Sequence, residues 1–373
     1  MVKKILFISS EFPPGPGGIG NHAWNLSRSL NNQIHVDVLT VSDYTDESAS
    51  RSFDDNTDFN IFRFKRYPFA IKTYFHRIFQ IIRHIRKNNY SHCIVSGYFA
   101  LSTCSIIRLL NKKIIIIGIL HGSELIQPKV LYKLILKISL KCLDVMISVS
   151  SYTNSKIPIK TDHNQKSIVI PNGVDNKMLN IIINKNDTIK LSGNPCLLTV
   201  GSITHRKGQI NLINALPEII NKYPNVHYHC VGLPLEGEDI LRSADRINVE
   251  KYVSIHGFIQ NNQLSSIYKQ ADILIMLSQN KINPDVEGFG IAILEANLFG
   301  VPALGSINTG IEDAIAQYQT GALVNPYSKK EIVDGIDWLL QRKNELSQKT
   351  VDWAFEHSWS NISKRYLKVI IDD

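Results

Sequence analysis

The residue types best suited to chemistry lie in the stretch 285–302, which reads DVEGFGIAILEANLFGVP and contains the glutamates Glu287 and Glu295. Gly288 and Gly290 follow the first glutamate, and the apolar residues after Gly290 recur at helical spacing, which predicts a helix of two to three turns. The first N–H groups of a helix lack partners within it and carry the positive end of its dipole. Because glycine lets an anion approach closely, this segment is a candidate phosphate site.

The spacing of Glu287 and Glu295 limits what they can do together. In a continuous helix they would lie about 12 Å apart, whereas the paired carboxyls of a retaining glycosidase are about 5 Å apart. Such a separation suits contacts with opposite ends of one long ligand, such as the two sugars of a nucleotide-sugar. The alternative is that both are solvated residues of an amphipathic helix.

Two cations precede another predicted helix. Residues 195–201 predict a strand and residues 209–222 a helix, with Arg206 and Lys207 between them. Cations at this position would bind a diphosphate and neutralise the charge that grows on it as it departs. A solvated basic turn is the alternative.

A histidine follows a buried strand. The apolar run 114–120 is followed by His121, Gly122, Ser123 and Glu124. In open parallel sheets ligands bind at the carboxyl ends of the strands. His121 is therefore a candidate to hydrogen-bond a sugar hydroxyl or to orient a leaving phosphate, although a structural histidine is equally consistent with the sequence.

A glycine cluster lies near the amino terminus. Residues 4–10 predict a strand and residues 21–30 a helix, and the glycines at 15, 17, 18 and 20 lie between them, as in phosphate-binding loops. Gly15, Gly17 and Gly20 also fit G-x-G-x-x-G, with Asp37 further on, so an NAD(P)-dependent oxidoreductase is an alternative. The fit is incomplete, because two prolines separate the strand from the glycines and Asp37 lies inside the next predicted strand.

Together these segments resemble the retaining glycosyltransferases of family 4. The resemblance is carried by EGFGIAILEA with GVP after it, by the E-x7-E spacing of Glu287 and Glu295, by GGIG at 17–20, by HG at 121–122, by PNGVD at 171–175 and by RKG at 206–208. It implies an α/β protein of the GT-B fold, in which two Rossmann-like domains with parallel sheets face a central cleft. The expected divisions are an acceptor-binding domain over 1–175, a linker over 176–194, a nucleotide-sugar-binding domain over 195–357 and a last helix, about 358–373, that packs back on the first domain.

The resemblance also implies residue roles. Glu287 would bind the hydroxyls of the transferred sugar, Glu295 the ribose, and the N–H groups near Gly290 the diphosphate. The implied catalytic residues are His121, Glu287, Arg206 and Lys207, and the implied donor-binding residues are Gly17, Gly18, Arg206, Lys207, Ile259, Glu287, Gly288, Phe289, Gly290, Ile291 and Glu295.

Two segments depart from the family pattern. Ser202 stands where the family usually has arginine, so either Arg206 substitutes for the missing cation or donor affinity is lower. Residues 308–313, which read NTGIED, are a degraded version of the family's G-G-x-P-E loop, and no role is carried over to them.

The predicted activity is therefore transfer of a hexose from a UDP- or GDP-sugar to a glycan acceptor with retention of configuration. No D-x-D sequence occurs, so neither a catalytic metal nor another cofactor is expected. Family habit and the basic charge favour a lipid-linked oligosaccharide acceptor in surface polysaccharide biosynthesis (O-antigen, capsule or exopolysaccharide). A non-catalytic sugar-nucleotide binding protein is a further alternative.

Composition limits the elements that hold these residues. A chain of 373 residues with 44% hydrophobic content suffices for two domains with buried cores. Five cysteines without a C-x2-C pair indicate reduced thiols and no zinc site. No apolar run approaches the ~20 residues that span a bilayer, and no signal-peptide pattern is present, which favours a cytoplasmic protein. The polar residues 42–60 are predicted to form a surface loop.

Charge is unevenly distributed. Residues 1–175 hold 22 lysines and arginines against 12 acidic residues, and residues 59–123 hold eleven basic residues and no acidic one, which indicates an anionic partner. Residues 71–90 alternate basic and apolar side chains at helical spacing. This helix either packs on the core with a solvated basic face or docks on an anionic membrane surface, at about 1 kcal/mol per nearby basic residue. We expect a peripheral protein of the inner membrane face and no nucleic-acid partner.

Overall fold

The computed structural model describes residues 3–15, 17–42, 46–126, 129–160, 165–181, 189–279 and 287–372, with only the backbone of Asn261. The chain divides into two compact units, Met1–Asn172 with Trp359–Asp373, and Gly173–Ser358. Part of the predicted linker, the start of the stretch 285–302 and part of the loop predicted over 42–60 lie outside the described residues.

The first unit contains a seven-stranded parallel sheet in the order β3-β2-β1-β4-β5-β6-β7. Its central strands are mainly apolar and have almost no exposed surface, as a parallel sheet covered by helices on both faces requires. The order reverses between β1 and β4, which is where ligands bind in sheets of this kind. The strands are β1 (Lys4–Ser9), β2 (His35–Val41), β3 (Asn60–Phe64), β4 (His92–Ser96), β5 (Ile115–Leu120), β6 (Val145–Ser148) and β7 (Lys166–Val169).

Helices connect these strands. They are α1 (Gly18–Asn31), α2 (Glu47–Asp55), α3 (Ala70–Lys87), α4 (Tyr98–Ser102), α5 (Cys104–Leu110), α6 (Val130–Lys141) and α7 (Ser151–Ser155). The basic amphipathic helix predicted over 71–90 is confirmed as α3.

The prediction of a surface loop over residues 42–60 is wrong, because α2 occupies half of this segment. The Asp46 carboxylate caps this helix by accepting the Ala49 N–H at 2.7 Å, and Arg51 pairs with Glu47 one turn away at 2.6 Å. Such local contacts stabilise a helix whose surface is almost entirely polar.

The second unit repeats the architecture with a six-stranded parallel sheet in the order β10-β9-β8-β11-β12-β13. Here the order reverses between β8 and β11. The strands are β8 (Cys196–Val200), β9 (His227–Val231), β10 (Val253–Ile255), β11 (Ile273–Met276), β12 (Ala303–Ser306) and β13 (Gly321–Val324). The helices are α8 (Gln209–Lys222), α9 (Gly237–Arg246), α10 (Asn261–Gln270), α11 (Ile291–Asn297) and α12 (Lys329–Glu356).

The last helix, α13 (Trp359–Asp372), belongs to the first unit and packs on α1. Trp359 and Tyr366 lie against the buried ring of His22, with ring centroids 5.0 and 6.0 Å away. Arg365 donates to the Val169 carbonyl at 2.9 Å, which ties α13 to the end of β7.

All five cysteines are free, and four of them are buried. Among the helices of the described ranges, none is both long and apolar enough to cross a bilayer.

Candidate functional site

In the second unit, two loops meet where the strand order reverses. One follows β8 and contains Arg206 and Lys207, and the other follows β11 and begins with Leu277, Ser278 and Gln279. Because β8 and β11 are parallel neighbours, both loops leave the sheet at the same edge.

The two cations and the first glutamate come together at this edge. The Lys207 ammonium pairs with the Glu287 carboxylate, and Arg206 Nη1 lies 3.4 Å from the same Oε2 atom. Burial alone would raise the pKa of Glu287, but the charges of Lys207 and Arg206 outweigh burial and hold its pKa below the ordinary value. Residues about eighty positions apart in sequence thus form one cluster, in which the carboxylate contacts two cations that could bind a phosphate.

The loop that carries the cations is tied to the strand beside it. Gln279 donates its backbone N–H to the Arg206 carbonyl at 2.9 Å and its side-chain amide to the His205 carbonyl at 2.6 Å. Asn211 donates to the Leu277 carbonyl at 3.0 Å. Gly208 has a φ of 77° and lies against that same carbonyl, so no side chain fits there. Gln279 therefore fixes the backbone beneath Arg206, a role that no sequence pattern indicated.

The predicted helix after Gly290 is confirmed as the two turns of α11. Gly290 has a φ of 86° and precedes the first helical residue, so the glycine is required by its backbone conformation. Phe289 is buried and anchors the loop, and Gly310 donates its N–H to the Glu287 carbonyl at 3.0 Å. The loop 308–313, for which no role was predicted, thus supports the backbone at Glu287. Because Glu287 precedes the helix, the 12 Å estimate for continuous helix does not apply.

Glu295 lies in the middle of α11, and a side chain from α10 contacts it. Tyr268 donates its hydroxyl to Glu295 Oε2 at 2.6 Å. Burial raises the pKa of Glu295, and the tyrosine hydrogen bond offsets part of that rise. Sequence reasoning missed Tyr268, which is 27 residues away in the chain.

Two further positions of the second unit, Ile259 and Ser202, were linked to the donor from the sequence. Ile259 lies in the turn after β10, where the Gly257 carbonyl accepts the Gly232 N–H at 2.8 Å. The Ile259 side chain is buried, so a ligand at this position could contact only the backbone of this residue. Ser202 supplies no cation, and its carbonyl accepts from Gln209 at 3.2 Å.

His121 lies in the first unit, at the carboxyl end of β5. Its Nε2 atom hydrogen-bonds with Ser96 Oγ at 2.9 Å, and its ring packs edge-on against His22 with centroids 4.9 Å apart. Burial lowers the pKa of His121 to about 4, so the imidazole is neutral at physiological pH. Glu124 accepts the His121 N–H at 2.5 Å, and burial raises the Glu124 pKa to about 7.

The glycine loop begins α1. Gly17 has a φ of 140° and its carbonyl accepts the Asn21 N–H at 3.1 Å. A Cβ atom built on Gly18 would meet nothing within 4 Å, so open space lies beside it. Gly17, Gly18 and His121 therefore belong to the first unit, and the other predicted site residues belong to the second.

The oxidoreductase interpretation is wrong, since Asp37 has other partners. Its carboxylate accepts from Tyr90 at 2.6 Å and from Asn60 at 2.9 Å, and it pairs with Lys4 at 2.8 Å. In a dinucleotide-binding protein this carboxylate would bind a ribose at the strand end. Here it lies inside β2 and holds three elements together.

Two parallel-sheet Rossmann-like units of GT-B type, with two cations and a glutamate at a strand-order reversal, define a nucleotide-sugar-dependent class of protein. Residues 16–177 match the family model described as Glycosyltransferase Family 4, and residues 181–356 match the model described as Glycosyl transferases group 1. The chain belongs to glycosyltransferase family 4.

Characterised relatives span nearly the whole chain. It is similar to the GDP-mannose-dependent alpha-(1-6)-phosphatidylinositol monomannoside mannosyltransferase of Mycobacterium tuberculosis, with 22% identity over 91% of this chain and 89% of the relative. The GDP-mannose-dependent monoacylated alpha-(1-6)-phosphatidylinositol monomannoside mannosyltransferase of Corynebacterium glutamicum is 24% identical over 86% of this chain and 84% of its own length.

A solved structure shares the fold. Anabaena HepE, crystallised with UDP and glucose, superposes with a TM-score of 0.76 at 16% identity and covers 100% of both chains. This likeness confirms the predicted fold class.

Proposed function

We propose that the protein is a retaining hexosyltransferase that moves a sugar from a UDP- or GDP-sugar to a lipid-linked glycan acceptor in surface polysaccharide biosynthesis. The observation that carries the proposal is the convergence of Arg206, Lys207 and Glu287 at the reversal of the second sheet. Two cations held by one carboxylate form a preorganised site for a diphosphate.

The donor is held as follows. Its diphosphate binds Arg206 and Lys207, together with the backbone N–H groups of Gly290 and Ile291 at the start of α11. Negative charge grows on the diphosphate as the glycosidic bond breaks, and fixed cations stabilise that charge without reorganisation. Glu287 contacts the hydroxyls of the transferred sugar, Glu295 the ribose, and the backbone at Ile259 the base.

In the first unit, His121 supplies a neutral imidazole for a sugar hydroxyl. Because its pKa is about 4, this imidazole carries no charge at pH 7. Gly17 and Gly18 leave room beside the start of α1 for the donor or the acceptor.

Transfer is proposed to be independent of a metal ion, since Arg206 and Lys207 provide the positive charge that a divalent cation provides in other transferases. Activity retained in excess EDTA is the expected outcome. Loss of activity in EDTA that manganese restores would contradict it.

The acceptor side is proposed to dock on an anionic membrane at its inner face. The connections from β3 to β4 and onward to β6 advance in one direction across the sheet, so right-handed crossovers place α3 and α6 on the same face. On α3, Ile71, Phe75 and Phe79 are four residues apart and 74%, 68% and 61% exposed. On α6, exposed apolar residues lie at 130, 131, 134 and 138.

Basic side chains adjoin this apolar surface, which we call the α3–α6 face. Arg83 and Lys87 continue the stripe of Phe75 and Phe79 along α3. On α6, Lys133, Lys137 and Lys141 are exposed and recur every four residues. Apolar side chains that enter the headgroup region and cations beside them are the two features of an interfacial surface. A phosphatidylinositol-based acceptor, named in the relatives, would be reached from such a surface.

The function is tested by thermal shift with UDP-glucose, GDP-mannose, an ADP-sugar and NAD, followed by transfer of radiolabelled hexose from the stabilising donor to lipid-extracted glycans. Stabilisation by one UDP- or GDP-sugar and an axial product linkage from an axial donor, read by NMR, are expected. Stabilisation by NAD alone, or donor binding without transfer to any glycan lipid, would contradict the proposal.

A further inference from the structure

The carboxylate of Glu295 is held by a side chain that takes no part in the mechanism above. Tyr268 lies on α10 and donates its hydroxyl to Glu295 Oε2 at 2.6 Å, a length typical of a bond to an ionised acceptor. Its side chain has no exposed surface. A buried hydroxyl aimed at a half-buried carboxylate next to a ligand site is suited to orient that carboxylate.

The tyrosine is itself fixed in place. Its ring is stacked on Phe299, with centroids 6.0 Å apart and planes 13° from parallel. Residues beside Glu295 on α11, including Ile293, Leu294 and Ala296, are fully buried, so the helix backbone is also fixed. With ring and helix both immobile, the hydroxyl selects one rotamer of the Glu295 side chain.

We propose that Tyr268 is a positioning residue for ribose recognition, since it holds the Glu295 carboxylate in the orientation that accepts the ribose hydroxyls. The inference rests on the proposed function, in which Glu295 binds the ribose. A carboxylate has about four lone-pair positions; the tyrosine occupies one on Oε2 and leaves Oε1 for the ligand. A glutamate that is already oriented loses less side-chain entropy when the nucleotide binds.

The test compares ribonucleotides with their 2′,3′-dideoxy forms. Isothermal titration calorimetry gives the Kd of GDP and dideoxy-GDP, and of UDP and dideoxy-UDP, and the ratio of dideoxy to ribo Kd measures ribose recognition. In Tyr268→Phe we expect this ratio to fall about tenfold, the worth of a hydrogen bond to a charged group. The dideoxy Kd should be unchanged, because the diphosphate site is intact. An unchanged ratio would overturn the inference.

A matched control is present in the same unit. Tyr228 on β9 is equally buried, and its hydroxyl bonds to Thr199 Oγ1 at 2.7 Å. Tyr228→Phe therefore removes a buried hydroxyl that does not contact Glu295. It should leave the ratio of dideoxy to ribo Kd at the wild-type value. A fall equal to that of Tyr268→Phe would show a general packing effect and overturn the inference.

Glu295→Gln separates the inference from the function on which it rests. If Glu295→Gln lowers the ratio and Tyr268→Phe does not, only the positioning role is wrong. If Glu295→Gln keeps the wild-type ratio, the ribose role of Glu295 is wrong and the inference falls with it. In the double variant the tyrosine substitution should have no further effect on the ratio, because the carboxylate that it orients is already gone.

Should Tyr268→Phe fail to fold, Phe299→Leu provides a second test. It keeps the tyrosine hydroxyl and removes the ring that clamps it, at a position less buried than Tyr268. The ratio of dideoxy to ribo Kd should fall in this variant, but by a smaller factor than in Tyr268→Phe. A ratio equal to that of the wild type would overturn the inference.

Discussion

The carboxylate of Glu287 has two partners before any donor binds. It neutralises Lys207 and Arg206 and keeps both side chains directed at one point. In the proposed function, the donor diphosphate competes for the same cations and releases Glu287 toward the sugar. The residue would then act first as a counter-ion and afterwards as a ligand.

This exchange predicts the behaviour of Glu287→Gln. We expect kcat to fall 100-fold or more, the usual scale for loss of a group that acts on the transition state. GDP or UDP alone should bind as tightly as to the wild type or more tightly, because the cations have lost their competing anion. Transfer of labelled sugar and calorimetry measure the two effects.

Glu345→Gln is the matched control for this prediction, since Glu345 is exposed and pairs with Lys349 one turn along α12. It should change neither turnover nor binding. Equal losses of turnover and nucleotide binding in Glu287→Gln would show that the carboxylate serves only to fold the loop.

The raised pKa of Glu295 predicts a pH dependence of ribose binding. As the pH falls into the acidic range, the half-buried Glu295 carboxyl takes up a proton sooner than an exposed glutamate would, and it then accepts hydrogen bonds less well. We expect the Kd of the ribonucleotide to rise over this interval and that of its dideoxy form to rise less. Calorimetry at several pH values measures both, and parallel curves would argue against ionised Glu295 as the ribose ligand.

Individual site residues were predictable where one local pattern determines them. Gly290 stands at a helix start that requires positive φ, and Arg206 and Lys207 precede a helix of clear periodicity. Tyr268 and Gln279 were not predictable, because their partners are 27 and 73 or more residues away. A tyrosine in an amphipathic helix looks the same whether its hydroxyl meets water or a carboxylate.

At the scale of elements, the proposed donor site consists of two loops tied together. Gln279, in the loop after β11, donates hydrogen bonds to the carbonyls of His205 and Arg206. The strand order brings these loops to one edge, and the glutamine fixes the distance between them. Position in the sheet alone would leave the cations mobile.

Gln279→Ala is therefore expected to raise the KM for the donor about five- to tenfold with a smaller change in kcat, as loss of one buried hydrogen bond that orients a binding loop implies. Gln319→Ala is the same substitution at an exposed position of the same unit and should have no effect. Steady-state kinetics decide. A fall in kcat with unchanged KM would place Gln279 in the chemical step instead.

Elements with strong periodicity were predicted well and polar ones were not. The strands before the glycine loop, before His121 and before the two cations were predicted correctly, because buried parallel strands are continuous apolar runs. Helix α2 was missed, although Asp46 ahead of it and the pair Glu47 and Arg51 are signals of a capped helix. The exposed face of α6 was also missed, although its three lysines recur every four residues.

At the scale of the molecule, the charge asymmetry and the α3–α6 face both favour the proposed partner, an anionic membrane. Exposed aromatic side chains on a monomeric surface carry a cost that a membrane would remove. Vesicle flotation should show binding to liposomes with 30% anionic lipid and weaker binding to neutral ones. In the double variant Phe75→Ser with Phe79→Ser, binding should fall at least tenfold, because two large apolar side chains no longer enter the headgroup region.

A control for this prediction lies elsewhere on the surface. Leu235 and Ile371 are 69% and 60% exposed and lie outside the α3–α6 face. Leu235→Ser with Ile371→Ser should leave flotation unchanged. Equal binding of the wild type to anionic and neutral vesicles would refute the electrostatic part of the proposal.

The placement of α13 has a consequence for synthesis. The second unit is one continuous segment, so every residue it needs has been synthesised before α13 is made. The first unit begins the chain but requires α13 to cover His22 and the outer side of α1. The unit translated first must therefore be the last to complete its core, and released chains that end at residue 358 should contain a finished second unit and an unfinished first one.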